Sequence, residues 1–85
     1  MSGDAWRSLA TAAVARCRAA DAEVLLNGDI ALAQDLQVGV HLRAAQLVGL
    51  QARPLPDGLP VAASCHTAAE LQQAEALGCD FAVVG

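Results

Sequence analysis

The chain has 85 residues, 55% of them hydrophobic, with a formal net charge of −4, enough for one small domain. Its five basic residues are scattered arginines, which excludes the cationic footprint that nucleic-acid binding needs. No apolar run approaches the ~20 residues of a membrane span, and Asp4, Arg7 and Arg16 interrupt any signal-peptide core, so the cytoplasm is the expected location.

Asp4 is placed to cap a helix from Ala5 to about Ala20, an Ala-rich run without Gly or Pro. Trp6, Leu9, Ala10, Ala13 and Cys17 follow its apolar stripe, with Arg7, Arg16 and Arg18 off it. After a turn at Asp21-Ala22, Glu23 to Asn27 reads as a strand too apolar for one solvated face, as in a parallel sheet covered on both sides. Gly28 permits a tight exit, and Asp29 caps the next helix, Ile30 to Leu36, which turns at Gln37. Val38 to Leu42 is the second strand. Alternation puts Gly39 and His41 on one face and Val38, Val40 and Leu42 on the other.

Arg43 to Leu50 forms a short helix weakened by Gly49. Arg53 to Pro60 is a loop, because each proline biases its predecessor away from helix. Val61 to Ser64 is the third strand, with polar residues crowded at its carboxyl end. Thr67 and Glu70 fit a capping box opening a helix from Ala68 to Leu77, with Leu71, Ala74 and Leu77 inward. Gly78 is its left-handed stop, and Asp80 to Gly85 is the fourth strand.

Helix and strand alternate with short connections, which implies an α/β fold with a parallel sheet and right-handed crossovers. Chemistry in such folds sits where strands end and helices begin. Ser64, Cys65 and His66 lie at such a junction, and Asn27 and His41 end their strands. Asn27 and His41 are placed to face a ligand and Ser64 to hydrogen-bond one, with packing or local capping as the competing structural role; Arg43 is placed to meet a phosphate, with a solvated arginine as the simpler alternative. Neighbours in a strand point to opposite faces, so a direct Cys65–His66 dyad is geometrically poor. The three cysteines, at 17, 65 and 79, lack C-x-x-C spacing and support neither a disulfide framework nor a zinc site.

Leu25-Leu26-Asn27-Gly28-Asp29, Gly39-Val40-His41-Leu42, Ser64-Cys65-His66 and Ala74-Glu75-Ala76-Leu77-Gly78-Cys79-Asp80-Phe81, in that order, resemble thiamine phosphate synthase and its TenI-like relative, thiazole tautomerase. Ala44-Ala45-Gln46-Leu47, Arg53-Pro54-Leu55 and Ala62 to His66 resemble the synthase-like domain fused to Nudix hydrolases; no Nudix signature is present. The resemblance implies part of a (β/α)8 TIM barrel, an incomplete domain over residues 1–85 covering its second to fifth strands. A whole barrel takes ~200 residues, and a part leaves an apolar face and bare edges. The chain is therefore expected either to self-associate or to belong with a missing barrel half.

The resemblance also implies magnesium bridging pyrophosphate. Its carboxylates are expected where this chain has Gly28 and Gln46, while Asp29 is one residue late and suited to a helix cap. No metal site is expected here, and metal-dependent synthase chemistry by this chain alone is not expected. His66 matches the tautomerase histidine implicated in proton shuttling, a task suited to a near-neutral pKa. Two functions follow: proton transfer on a phosphorylated thiazole or thiamine-like ligand with His66 as acid/base and Asn27, His41 and Ser64 contacting it, or a noncatalytic oligomerisation or accessory module of a Nudix-type fusion protein.

Overall fold

A computed structural model describes residues 3–85, along which four helices alternate with four strands. Helix α1 spans Gly3–Ala19, so Asp4 lies in its first turn rather than at its cap, where its charge still suits the positive helix end. Ala10 and Val14 are the buried residues of α1, whereas Leu9 is 54% exposed. The stripe is thus rotated from the expected one. Alanines on both flanks make the apolar arc broad, and tertiary contacts choose within it. One such contact is the Trp6 indole N–H, which donates to Asp29 Oδ2 at 2.7 Å.

Strand β1 is Leu25–Asn27, two residues shorter than its apolar run, although Val24 still gives its carbonyl to the Gly39 N–H at 3.0 Å. Helix α2 is Ile30–Leu36, capped by Asp29 Oδ1 accepting the Leu32 N–H at 3.0 Å and ended by Gln37 at φ 57°. Strand β2 is Gly39–Leu42, helix α3 Ala44–Gly49 and strand β3 Val61–Cys65. Helix α4 is Ala68–Leu77 and strand β4 Phe81–Val84. The Thr67–Glu70 capping box forms as the spacing predicts, and Gly78 stops α4 at φ 73°.

The sheet order is β1-β2-β3-β4, and every neighbouring pair is parallel. Strands added in chain order with a helix between each, and with no reversal, wind like a segment of a TIM barrel rather than a doubly wound sheet. Register partners share a face. Leu26, Val40, Leu42, Val61, Ala63 and Cys65 form one face and are buried as the core against the helices. Leu25, Asn27, Gly39, His41, Ala62 and Ser64 form the other, which corresponds to a barrel interior.

Coverage on both sides, expected for β1, is therefore found on one side only: Leu26 is buried while Leu25 and Asn27 are exposed. In α4, Ala74 and Leu77 are buried as expected, but Leu71 is exposed. On β4, Phe81, Val83 and Val84 are 59%, 53% and 73% exposed. On the inner face the small residues Gly39 and Ala62 are buried among their sheet neighbours, whereas the large side chains of β4 stand exposed; periodicity carries no information about which neighbour covers a residue.

The amino ends of the strands are tied by one side chain. Arg53, four-fifths buried, donates to the carbonyls of Leu55 at 3.0 Å, Leu59 at 2.6 Å and Gly78 at 2.5 Å, and to Asp80 Oδ2 at 3.0 Å. The same carboxylate oxygen accepts the Val61 N–H at 2.9 Å. The Val61 amide and the Arg53 guanidinium hold the Asp80 carboxyl below its ordinary range. Neighbouring Cys79 is pushed up, chiefly by burial. In the sequence Arg53 lies in a loop, without a local sign that it joins the 53–60 segment to both α4 and β4.

Candidate functional site

The carboxyl ends of β1, β2 and β3 bring three of the four expected site residues onto one face. Asn27 and His41 are register partners, and His41 Nε2 lies 2.8 Å from Ser64 Oγ. Ser64 is two residues beyond Ala62, the register partner of His41, so the two side chains meet diagonally on the uncovered side of the sheet. His41 and Ser64 are half-buried and Asn27 is exposed. A hydroxyl both donates and accepts, and a neutral imidazole has one nitrogen of each kind. The pair therefore offers an incoming polar group either a donor or an acceptor by a change of tautomer.

His66 lies at the same end of the sheet, one residue past β3, but it is not joined to that pair. Its backbone N–H donates to Glu70 Oε1 at 2.6 Å, and its ring Nδ1 lies 2.7 Å from the Gly85 carbonyl oxygen. With Cys65, Leu71 and Val84 it lines a cleft of about 210 Å³ on the helix side of β3 and β4. A carbonyl oxygen only accepts, so Nδ1 is the donor in that contact, and Nε2 is not engaged in it. Cys65 points into the core and is 1% exposed, so Cys65 and His66 make no dyad.

Arg43 ends the extended run of β2 with φ −75° and ψ 154°, two residues past His41 and of the same parity. Its guanidinium packs on Gly28, where an added Cβ would lie 2.6 Å from Nη2 and 2.8 Å from Nε. Gly28 has φ +75°, and its N–H donates to the His41 carbonyl at 2.8 Å. The Gln46 side chain completes the turn: Nε2 donates to the Gly28 carbonyl at 2.6 Å, and Oε1 accepts the Arg43 N–H at 3.0 Å. The sequence marks Gly28 as a tight exit, but the second reason for glycine, room for a guanidinium from the next strand, is a long-range contact without a local signal.

A family model described as thiamine monophosphate synthase matches residues 1–85. The chain belongs to the thiamine monophosphate synthase family. That membership relates it to thiamine biosynthesis and agrees with the parallel βα winding. The magnesium expected of such a synthase does not fit the residues present. Magnesium takes hard oxygen ligands, with one or two carboxylates among them. At this rim positions 28 and 46 supply a glycine and an amide already bonded to each other. Both oxygens of Asp29 are used, by the Leu32 N–H and the Trp6 indole. Among the described residues no three His, Cys, Asp or Glu side chains are grouped to hold a metal ion. No helix among them is long and apolar enough to cross a membrane.

Proposed function

We propose that this rim binds a phosphorylated thiazole or thiamine-like ligand and that its chemistry, when the barrel is complete, is proton transfer without a metal. The observation that supports this most is the His41–Ser64 contact of 2.8 Å, on the strand ends and on the uncovered face, with Asn27 in register beside it. Those three residues hold the polar edge of the ring system. His66 is the acid/base: a tautomerisation takes a proton from one atom of the ligand and returns one to another. A single imidazole with an available Nε2 can do both in turn. To reach that ligand the exposed ring has to leave both its contact with the Gly85 carbonyl and the cleft it lines, and turn toward the face of His41 and Ser64. Its place of action is the cytoplasm, where the three free thiols stay reduced.

The test is solvent deuterium exchange into a thiazole phosphate in the presence of the full chain, wild type against His66→Ala. Exchange catalysed by the wild type and lost in the variant supports the assignment. Exchange of equal rate in both removes His66 from the reaction.

A second reading is favoured by the exposed Phe81, Val83 and Val84 of β4. In it the chain is a noncatalytic module that self-associates or packs on a partner such as a Nudix domain through that strand. Sedimentation of the isolated chain, with Val83→Lys as the control, reports on self-association. A concentration-independent monomer contradicts a self-associating module.

A further inference from the structure

The rim that lacks carboxylates for a metal carries a positioned cation of its own. We propose that the Arg43 guanidinium binds the phosphate of the ligand directly, in place of a divalent ion; this rests on the reading of the rim as a site for a phosphorylated ligand.

Three observations carry the proposal. The guanidinium packs on Gly28, so that a Cβ built there would lie 2.6 Å from Nη2 and the arginine would have to move aside. Its donors are free: among the described residues no carboxylate or carbonyl accepts from it, whereas Arg7 pairs with Asp35, Arg18 reaches the Leu36 carbonyl and Arg53 holds the amino end. Arg16 shares that freedom but stands in the last turn of α1, which leads to the amino end of β1. Finally, the neighbouring side chains are engaged elsewhere: Gln46 is neutral and bonded within the turn, and the Asp29 carboxylate, which keeps its charge, accepts from the Leu32 N–H and the Trp6 indole rather than from Arg43. A guanidinium with a free planar edge matches two phosphate oxygens at once, which a metal bridge would otherwise do. The extended backbone carries the alternation of β2 through Arg43, which gives it the parity of His41, and its guanidinium lies against Gly28, the residue after Asn27. One molecule can thus place its phosphate on Arg43 and its ring against the His41–Ser64 pair.

The test is an amide-shift titration of the full chain with inorganic phosphate and, separately, with a thiazole phosphate, each in chelator and then with magnesium. Wild type, Arg43→Gln and Arg43→Lys are compared after dispersed spectra show that all are folded. Phosphate is expected to move the Gly28 and Arg43 amides in chelator, with no gain from magnesium. Affinity is expected to fall about tenfold or more in Arg43→Gln and to be partly restored in Arg43→Lys. Binding that requires magnesium, binding unchanged in Arg43→Gln, or no phosphate binding overturns the proposal. The ligand reading fails separately: phosphate then binds through Arg43, but the thiazole phosphate leaves His41 and Ser64 unmoved. Conversely, a thiazole phosphate that moves His41 and Ser64 equally in wild type and Arg43→Gln keeps the ligand reading and removes Arg43 from it.

Discussion

At the amino ends of the strands Arg53 meets three carbonyls and a carboxylate, whereas at the carboxyl ends Arg43 meets no acceptor among the described residues and His41 and Ser64 have each other. The two arginines are alike in chemistry and differ in surroundings. Arg53 closes a loop onto the sheet through four hydrogen bonds, so its removal leaves carbonyls and a carboxylate behind. Arg43 rests on a glycine with its donors open, so its removal leaves the fold with nothing unsatisfied. In βα barrels the amino face stabilises and the carboxyl face does chemistry. Here that division is visible in who is already bonded.

The largest expected effect tests that division. Arg53→Ala should lower unfolding free energy by about 2–3 kcal/mol, the loss of a mostly buried charged donor to several acceptors. Arg43→Ala should change it by less than about 0.5 kcal/mol. Urea denaturation followed by circular dichroism measures both, and equal losses would erase the difference between the ends. Thr67→Ala sharpens the comparison, because one element of the carboxyl end is structural: the α4 cap should contribute about 1 kcal/mol.

Asp80 adds a pH signature at the amino end. Its carboxyl is held below the ordinary value of 3.8, so its contribution is complete above that value and is lost as pH falls through the lower, folded-state range. Asp80→Asn should flatten the acid-induced loss of stability as pH falls below the ordinary value of 3.8. The size is smaller than for Arg53, since the Asp80 side chain is 45% exposed and solvent screens it. An unchanged acid limb in the variant would show that the carboxylate is not held as described. His41→Ala and Ser64→Ala should also have small stability effects, each within about 1 kcal/mol. In these variants the loss should appear in ligand binding instead.

Much of the fold was legible because its signals are local. Asp29, Thr67 with Glu70, and Gly78 mark helix ends by chemistry confined to a few residues, and each acts as its sequence position indicates. The parity of His41 against Val40 and Leu42 is likewise a property of the strand alone, and it placed His41 on the uncovered face. What was not legible depends on partners far along the chain. Leu9 and Val14 compete for one broad apolar arc, and only the packing of α1 decides between them. Leu71 and β4 are apolar but lack a covering neighbour among the described residues. Of the site, Asn27, His41 and Ser64 were found as strand-end polar residues, and the structure gathers them. His66 shares their end of the sheet but lines a different cleft, a distinction made by the chain leaving the strand after Cys65. The Arg43–Gly28 contact joins two turns, and no spacing rule reaches across it.

The most direct test of a ligand site at the carboxyl ends follows the imidazole resonances of His41 and His66 while a thiazole phosphate is added in chelator. The His41 ring signals are predicted to shift saturably in wild type, with the shift lost in Ser64→Ala. A His41 ring that stays unmoved at saturating ligand, in a chain whose spectrum shows it folded, would contradict the account.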